Sequence, residues 1–168
     1  MPEQIKTIDA NILIDYLLQD KLDRDQRRKT RAFFHPSNTG DIKIRIFVYT
    51  LGEVFKRLLD QRNRGGREFI DLSDPERQRN LNKLQEEVGN GFISIVKMDA
   101  ISVDFFTHYT SIDKIDYTIQ KGDKIALAAF CADSQSKSFY SNDMSVVNSL
   151  KVGDYMRKHD PQKSICEL

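Results

Sequence analysis

Apolar residues recur along the chain with two periods, one typical of strands and one typical of helices. Alternation through Ile42, Ile44 and Ile46 predicts a strand over residues 41–50. Short apolar runs predict further strands over residues 6–10, 92–97 and 138–141, with a candidate edge strand over 164–168. The sequence therefore predicts four to five short strands spread along its whole length.

Between these strands, apolar positions three and four residues apart predict helices. The helical segments lie over residues 11–19, 24–34, 50–62, 100–111, 124–133 and 145–158. A further helix opens with Asp74 as its N-cap and Pro75 at the first helical position, and ends at Gly89. Strands that alternate with helices predict an α/β fold built on a parallel, doubly wound sheet with right-handed crossovers.

Composition and charge narrow the class of protein. The 168 residues suffice for one core, and 39% hydrophobic with 30% charged residues is typical of a soluble globular protein. A formal charge of +1 means that any contact with nucleic acid must come from local patches. No apolar run approaches the roughly 20 residues that span a bilayer. We expect a cytoplasmic protein in which Cys131 and Cys166 are reduced thiols.

Four carboxylates fall where predicted strands give way to helices. Asp9 ends the first strand, Glu53 lies in the first turn of the helix after the second, Asp123 follows Gly122 at a helix start, and Asp143 follows the fourth strand. Ligands of doubly wound sheets bind beyond the carboxyl ends of the strands. We therefore expect the four side chains to meet in one crevice.

Each acid also has a simpler interpretation as a helix cap. Asp9, Asp123 and Asp143 fit N-caps, and Glu53 fits a capping box with Thr50. Four independent caps, however, need not all be acids that meet at one sheet edge. Two carboxylates about 5 Å apart repel by roughly 3 kcal/mol. A divalent cation would remove that penalty, and hard oxygen ligands suit Mg²⁺ or Mn²⁺, which accept only one or two direct carboxylates.

The segments that carry these acids resemble the ordered motifs of the PIN-domain family. They are Ile8-Asp9-Ala10-Asn11, Thr50-Leu51-Gly52-Glu53, Gly122-Asp123 with the apolar helix that follows, and Ser141-Asn142-Asp143. The resemblance implies that residues 1–168 form a single PIN domain, a three-layer α/β/α fold around a central parallel sheet of four to five strands. Residues 61–90 are longer than in a minimal member and predict an extended helical insertion.

The resemblance also implies a function and residue roles. It implies an Mg²⁺- or Mn²⁺-dependent endoribonuclease that hydrolyses RNA phosphodiester bonds with metal-activated water. Catalytic and metal-binding roles fall on Asp9, Glu53, Asp123 and Asp143, and supporting polar roles on Asn11, Thr50, Ser141 and Asn142. Many members are toxins of toxin–antitoxin pairs, which implies an antitoxin partner and a homodimer. Ser145 departs from the family, because many members carry a further acid there.

Basic residues supply the candidate RNA contacts. Arg62, Arg64 and Arg67 surround the Gly65-Gly66 loop, and Arg28 belongs to a cluster of cations in the second predicted helix. Phosphate contacts from such residues make affinity fall with salt. The alternative is that they lie on solvated faces and pair with nearby acids such as Asp25.

Two other functions remain open at this stage. A PIN-like module could keep its acids and act through a partner in RNA processing, without turnover of its own. A phosphoaspartyl enzyme on a similar sheet is the other alternative, but it needs two aspartates as Asp-x-Asp. Asn11 stands at the second position, and an amide cannot act as a general acid or base.

Overall fold

A computed structural model describes residues 4–35, 42–59, 72–97 and 102–168 of the chain. Its sheet contains β1 (Gln4–Ile8), β2 (Ile42–Phe47), β3 (Ile93–Val96), β4 (Ser138–Ser141) and β5 (Ser164–Glu167). The order across the sheet is β3-β2-β1-β4-β5, and every neighbouring pair is parallel. The predicted α/β class and parallel sheet are confirmed, and the candidate edge strand is present as β5.

Helices cover both faces of this sheet. They are α1 (Ala10–Leu17), α2 (Arg24–Phe34), α3 (Val48–Leu59), α4 (Asp74–Gly89), α5 (Ser102–Ile115), α6 (Lys121–Ala132), α7 (Met144–Val147) and α8 (Leu150–His159), with a 3₁₀ turn at Gln19–Lys21. The apolar residues of α1–α4 form one buried cluster with Ile8 and Ile44 of the sheet. Those of α5–α8 form a second with Phe47 and Phe139. The architecture is therefore three layers, α/β/α.

The alternating pattern of β2 determines which side chains face each layer. Ile42, Ile44 and Ile46 are buried in the α1–α4 cluster, and Phe47 points into the other. The strand ends at Phe47, so the prediction that it continued to Thr50 was wrong. Residues 48–50 begin α3 instead, because an apolar run carries no signal that separates the end of a buried strand from the start of a helix.

Other predicted boundaries were also wrong: α5 extends to Ile115 and α1 ends at Leu17, and three helix starts differ. The first residue of α6 is Lys121, three positions before the predicted start, and Gln120 is its N-cap. The N-cap of α4 is Ser73 rather than Asp74, because the Glu76 carboxylate accepts from both the N–H and the hydroxyl of Ser73. The last predicted helix is two helices, since the Ser149 hydroxyl accepts from the Val152 N–H and starts α8 anew.

The segment predicted as an insertion is only partly described. Residues 60–71 lie outside the described part of the chain. The helix that follows, α4, buries Leu84 in the same cluster as α1, and its Lys83 ammonium donates to the Tyr16 carbonyl at 3.1 Å. Among the described residues, no helix has both the length and the apolar character needed to cross a bilayer.

The strand order positions a ligand crevice at β1. The chain moves outward from β1 through β2 to β3, and then returns to the other side of β1 as β4. The carboxyl ends of β1 and β4 are adjacent there, and the Asp9 N–H donates to the Tyr140 carbonyl at 2.9 Å. Such a reversal of strand order is where doubly wound sheets open a crevice for ligands.

Candidate active site

Asp9 lies at the point where β1 becomes α1, and only 3% of it is exposed. Its Oδ1 accepts from the Ala10 N–H at 2.7 Å, which makes it the N-cap of α1. Its Oδ2 accepts from the Ser141 hydroxyl at 2.9 Å, across from β1 to β4. The predicted cap is therefore real, and the same carboxylate is also fixed against a second predicted site residue.

Ser141 connects the polar side chains of this crevice. Besides donating to Asp9, its Oγ accepts from the Asn11 side-chain amide at 3.3 Å and from the Asp143 N–H at 3.0 Å. The Asn142 N–H donates to the Asn11 Oδ1 at 3.4 Å. The structure therefore brings together three of the four predicted supporting residues, and each fixes the turn that carries Asp143.

Asp143 is the N-cap of α7. Its Oδ1 accepts from the N–H and the hydroxyl of Ser145, at 2.8 and 2.7 Å. A carboxylate offers about four lone-pair sites, so these bonds leave acceptor capacity for a cation. Ser145, where the family motif often has an acid, here holds the rotamer of Asp143.

Glu53 lies in the interior of α3, half-buried. The capping box with Thr50 is absent, because α3 begins at Val48 rather than beside Thr50. The Glu53 carboxylate instead accepts from the Tyr49 hydroxyl one turn earlier. It packs so closely on Gly122 that a Cβ there would lie 2.7 Å from Glu53 Oε1 and 3.3 Å from Tyr49 Oη. Glycine at position 122 therefore leaves room for the Glu53 carboxylate, which an added Cβ would displace.

Asp123 is the third residue of α6 and not its N-cap. Its negative charge contributes to raising the pKa of Tyr49, as does that of Glu53, although burial of the phenol is the larger cause. The three side chains therefore lie on the same flank of the crevice, where α3 meets the N-terminal end of α6.

Electrostatic coupling joins the acids of the two flanks. Burial raises the pKa of Asp9, and the charge of Asp143 raises it further. Burial also raises the pKa of Glu53, and the charge of Asp9 adds to it. The guanidinium of Arg57, one turn after Glu53 on α3, opposes both shifts. The crevice is therefore an acidic site whose repulsion is only partly offset by a cation of the chain itself.

Two features of the crevice fit a divalent metal ion: the negative charge that Arg57 offsets only in part, and the oxygen atoms of its side chains. Carboxylate oxygens are the ligands that Mg²⁺ and Mn²⁺ prefer. Within residues 4–35, 42–59, 72–97 and 102–168, no group of three or more His, Cys, Asp or Glu side chains is arranged to hold a metal ion. The four acids thus do not form one compact ligand set, and the donor set fits a cation held by one or two carboxylates and by waters. The Thr50 hydroxyl is buried and has no hydrogen-bond partner in the described part of the chain, so its supporting role stays a prediction.

Comparison with known proteins identifies the fold. No family model matches the sequence, and no curated protein matches it. The crystal structure of VapBC2 from Rickettsia felis, bound to a DNA fragment from its promoter, superposes with a TM-score of 0.55. The superposition covers 98% of each chain at 12% sequence identity. The fold is PIN-like. This likeness agrees with the fold that the four sequence motifs implied, and it extends over the whole chain.

The predicted RNA-binding residues have mixed outcomes. Arg62, Arg64 and Arg67 lie outside the described residues. Arg28 is exposed on α2, and its guanidinium lies 3.6 Å from the Asp25 carboxylate. This arrangement agrees with the alternative that the cations of α2 lie on a solvated face and pair with nearby acids. Their contacts with RNA stay a prediction.

Sequence reasoning missed two side chains of the crevice. Tyr49 was assigned to a strand, so its position one helical turn before Glu53 was not recognised. Asp15 is one turn after Asn11 on α1, and its Oδ2 accepts from the Asn142 side-chain amide at 3.0 Å. A spacing of four residues from a predicted site residue on a predicted helix was the available signal for Asp15.

Proposed function

We propose that this chain is a divalent-metal-dependent endoribonuclease that hydrolyses RNA phosphodiester bonds. The observation that carries the proposal is the electrostatic coupling of Asp9, at the reversal point of a parallel sheet, to Asp143 and to Glu53, which together with burial raises the pKa of Asp9 and Glu53. Binding of a cation would reduce the repulsion between these carboxylates and so lower the free energy of the site.

In this proposal, Asp9 and Asp143 hold Mg²⁺ or Mn²⁺, and Glu53 and Asp123 act from the facing flank. When bound there, the cation would supply Lewis-acid chemistry, which lowers the pKa of a water and offsets charge on phosphoryl oxygens. Ser141 keeps one Asp9 oxygen oriented, and Tyr49 does the same for Glu53. Arg57 provides positive charge at the rim of an otherwise acidic crevice, where a phosphate must approach.

The same likeness supports the biological setting that we propose. The similar crystal structure is that of VapBC2 bound to a DNA fragment from its promoter. We infer that the present chain acts as the toxin of such a pair, with a protein antitoxin as partner, as a homodimer in the cytoplasm. Arg28, Arg62, Arg64 and Arg67 are the proposed RNA contacts outside the acidic crevice.

The test is cleavage of a mixed RNA pool in the presence of Mn²⁺, Mg²⁺ or a chelator. We expect wild type to cut with either metal, and Asp9→Asn to lose at least about a hundredfold in rate, because the acid at the centre of the cation site is gone. Asp154→Asn, which changes an exposed acid on α8, is the matched control and should cut like wild type. Equal metal-dependent cutting by Asp9→Asn would contradict the proposal. A folded wild type that cuts with neither metal would favour a module that binds partners without turnover.

A further inference from the structure

A cavity of about 580 Å³ lies beside the acidic crevice and shares Asp143 with it. It lies between α1, α2 and the turn from β4 to α7, and Asn11, Asp15, Gln26, Lys29 and Asn142 also line it. Its volume falls within the range of about 300–1,000 Å³ that is usual for small-molecule sites. A group bound here would lie next to whatever is held at Asp143.

The face that α2 presents to this cavity is defined by helical spacing. Gln26, Lys29 and Thr30 are three and four residues apart and all line the cavity. Arg27 faces elsewhere, because its guanidinium donates to the carbonyls of Gln19, Asp20 and Leu22 around the 3₁₀ turn. Of the cations in α2, the structure therefore places Lys29 at the cavity, whereas Arg27 stabilises the fold.

The charges of the lining argue against a phosphate as the occupant. Asp15, Asp143 and Glu167 contribute three carboxylates, against the single ammonium of Lys29 among the lining residues. A dianion would meet net repulsion here, whereas a neutral heterocycle would not. The Lys29 ammonium is then available to the sugar–phosphate backbone that leads into the cavity.

The hydrogen-bonding groups of the lining match the edge of a nucleobase. The side-chain amides of Asn11, Gln26 and Asn142 can each donate and accept, and such amides pair with a ring nitrogen and an exocyclic amine of the same base. Asp15 accepts from Asn142 at 3.0 Å and has lone pairs left for a second donor. Carboxylates accept from exocyclic amines, which adenine, cytosine and guanine have and uracil lacks, but guanine also presents the acceptor O6, which carboxylates repel.

We propose that this cavity is a base-binding subsite that receives the nucleobase next to the cleaved phosphodiester and prefers adenine or cytosine over uracil. The assignment rests on the proposed nuclease function and deepens it, because it names the part of the substrate that determines where the chain cuts. Gln26 and Asp15 are the specificity-determining residues, and Lys29 contacts the adjoining backbone.

Binding of mononucleotides tests the subsite without any need for cleavage. We expect AMP and CMP to shift the backbone NMR signals of Gln26, Lys29 and Asn142, and to bind at least about fivefold more tightly than UMP. Asp15→Asn and Gln26→Ala should lose that difference. Gln26 is exposed, so its replacement leaves the core intact, and Gln78→Ala, the same change at an exposed position of α4 away from the cavity, is the matched control.

Sequencing the ends of cut RNA gives the second readout. Wild type and Gln78→Ala should enrich adenine or cytosine at one position flanking the cut, and Gln26→Ala should reduce that enrichment about fivefold or more while cutting continues. Selective AMP binding by a protein that cuts nothing would retain the subsite and reject the nuclease. Cutting with no base preference, together with equal UMP binding, would reject the subsite and retain the nuclease.

Discussion

The two ends of α6 lie in different electrostatic surroundings. Its N-terminal end, the acidic end, contacts the Glu53 carboxylate, which has other carboxylates near it. At its C-terminal end, the paired end, charged side chains lie against opposite charges or carbonyl dipoles. The Glu53 carboxylate packs on Gly122 in the first turn, with Asp123 beside it and Asp9 in electrostatic reach. At the other end the Lys163 ammonium donates to the carbonyls of Phe130, Cys131 and Asp133, at 2.6, 2.7 and 2.9 Å.

The paired end is a structural network. Lys163 satisfies carbonyls that a helix C-terminus leaves without partners, and a cation is favoured there by the helix dipole. The Asp133 carboxylate lies 3.1 Å from the Arg45 guanidinium and accepts from the Ser136 hydroxyl at 2.6 Å. Every charge in this network lies against an opposite charge or a dipole, so the network needs no ligand.

At the acidic end, burial raises the pKa of Asp9 and of Glu53, and the charge of a neighbouring carboxylate raises each of them further. Arg57 opposes the shifts at Asp9 and Glu53, Lys56 opposes the shift at Glu53, and both cations are exposed to solvent. The remaining repulsion of Asp9 with Asp143 and with Glu53 raises the free energy of the folded protein. The comparison therefore indicates that one end of α6 maintains the fold, whereas the other borders the acidic crevice where we propose that a cation binds.

The largest expected effect on stability lies at the paired end. Lys163→Met should destabilise the protein by about 2–4 kcal/mol, because it removes charge-assisted hydrogen bonds to three buried carbonyls. Thermal unfolding should show this equally with and without Mn²⁺. Lys158→Met, on the exposed last turn of α8, is the matched control and should change stability by less than about 0.5 kcal/mol. If the loss of stability in Lys163→Met depended on Mn²⁺, the paired end would not be separate from the proposed cation site.

At the acidic end we expect the opposite result: a small substitution should reduce the cleavage rate and hardly change the stability. Gly122→Ala places a Cβ 2.7 Å from Glu53 Oε1, so the carboxylate must move, and we expect about a tenfold or larger loss of cleavage rate. Stability should hardly change, because alanine favours a helix and the displaced atom ends a long side chain. Gly52→Ala on α3, where a Cβ meets open space, is the control and should keep full activity. Loss of folding without loss of specific activity in Gly122→Ala would reverse this account.

The pH dependence of stability should separate the two ends as well. The pKa of Asp9 is raised on folding, so the folded state holds a proton that the unfolded state has lost. The metal-free protein should therefore lose stability as pH rises from the ordinary aspartate pKa through the raised one. Asp9→Asn should flatten this slope and raise the melting temperature of the metal-free protein, by about 2–4 °C for each kcal/mol relieved. Melting curves from pH 4 to 8 in chelator test it, and an unchanged slope in Asp9→Asn would show that another group is responsible.

The smallest expected effect concerns Tyr49. Its hydroxyl lowers the pKa of Glu53 by a hydrogen bond, against the larger raising effect of burial. Tyr49→Phe should raise the pKa of Glu53 further and move the acid limb of the pH–rate profile to higher pH, with a loss of about two- to fivefold near neutrality. A uniform loss of rate at every pH would instead show that the phenol only fills space.

The sheet was predictable because its signal is local. Alternation in β2 and the apolar runs of β1, β3 and β4 each follow from the period of a strand. The boundaries were less predictable where two elements join without a breaker, as at Phe47 and Val48, or where a side chain starts a new helix, as Ser149 does. In each of these cases the boundary depends on local geometry, such as one hydrogen bond at the start of a helix, and the hydrophobic pattern does not show it.

The candidate site was predictable to the extent that it follows strand ends. Asp9 and Asp143 were located correctly because β1 and β4 end beside them. The close approach of Tyr49 and Glu53 to Gly122 could not be predicted, since it depends on how α3 and α6 pack in three dimensions. Asp15, in contrast, was indicated by its spacing from Asn11 on the same helix. Sequence periodicity assigns a residue to a face of an element but does not give the distance between two elements.

Manganese binding followed by electron paramagnetic resonance tests the central claim most directly, because free Mn²⁺ is measured without any RNA. The account predicts that wild type and the exposed-acid control Asp154→Asn bind Mn²⁺ alike, and that Mg²⁺ competes for the same site. Asp9→Asn and Asp143→Asn should each weaken binding by at least about tenfold. Equal Mn²⁺ affinity in all four proteins would contradict the assignment of the acidic crevice around Asp9 and Asp143 as a cation site.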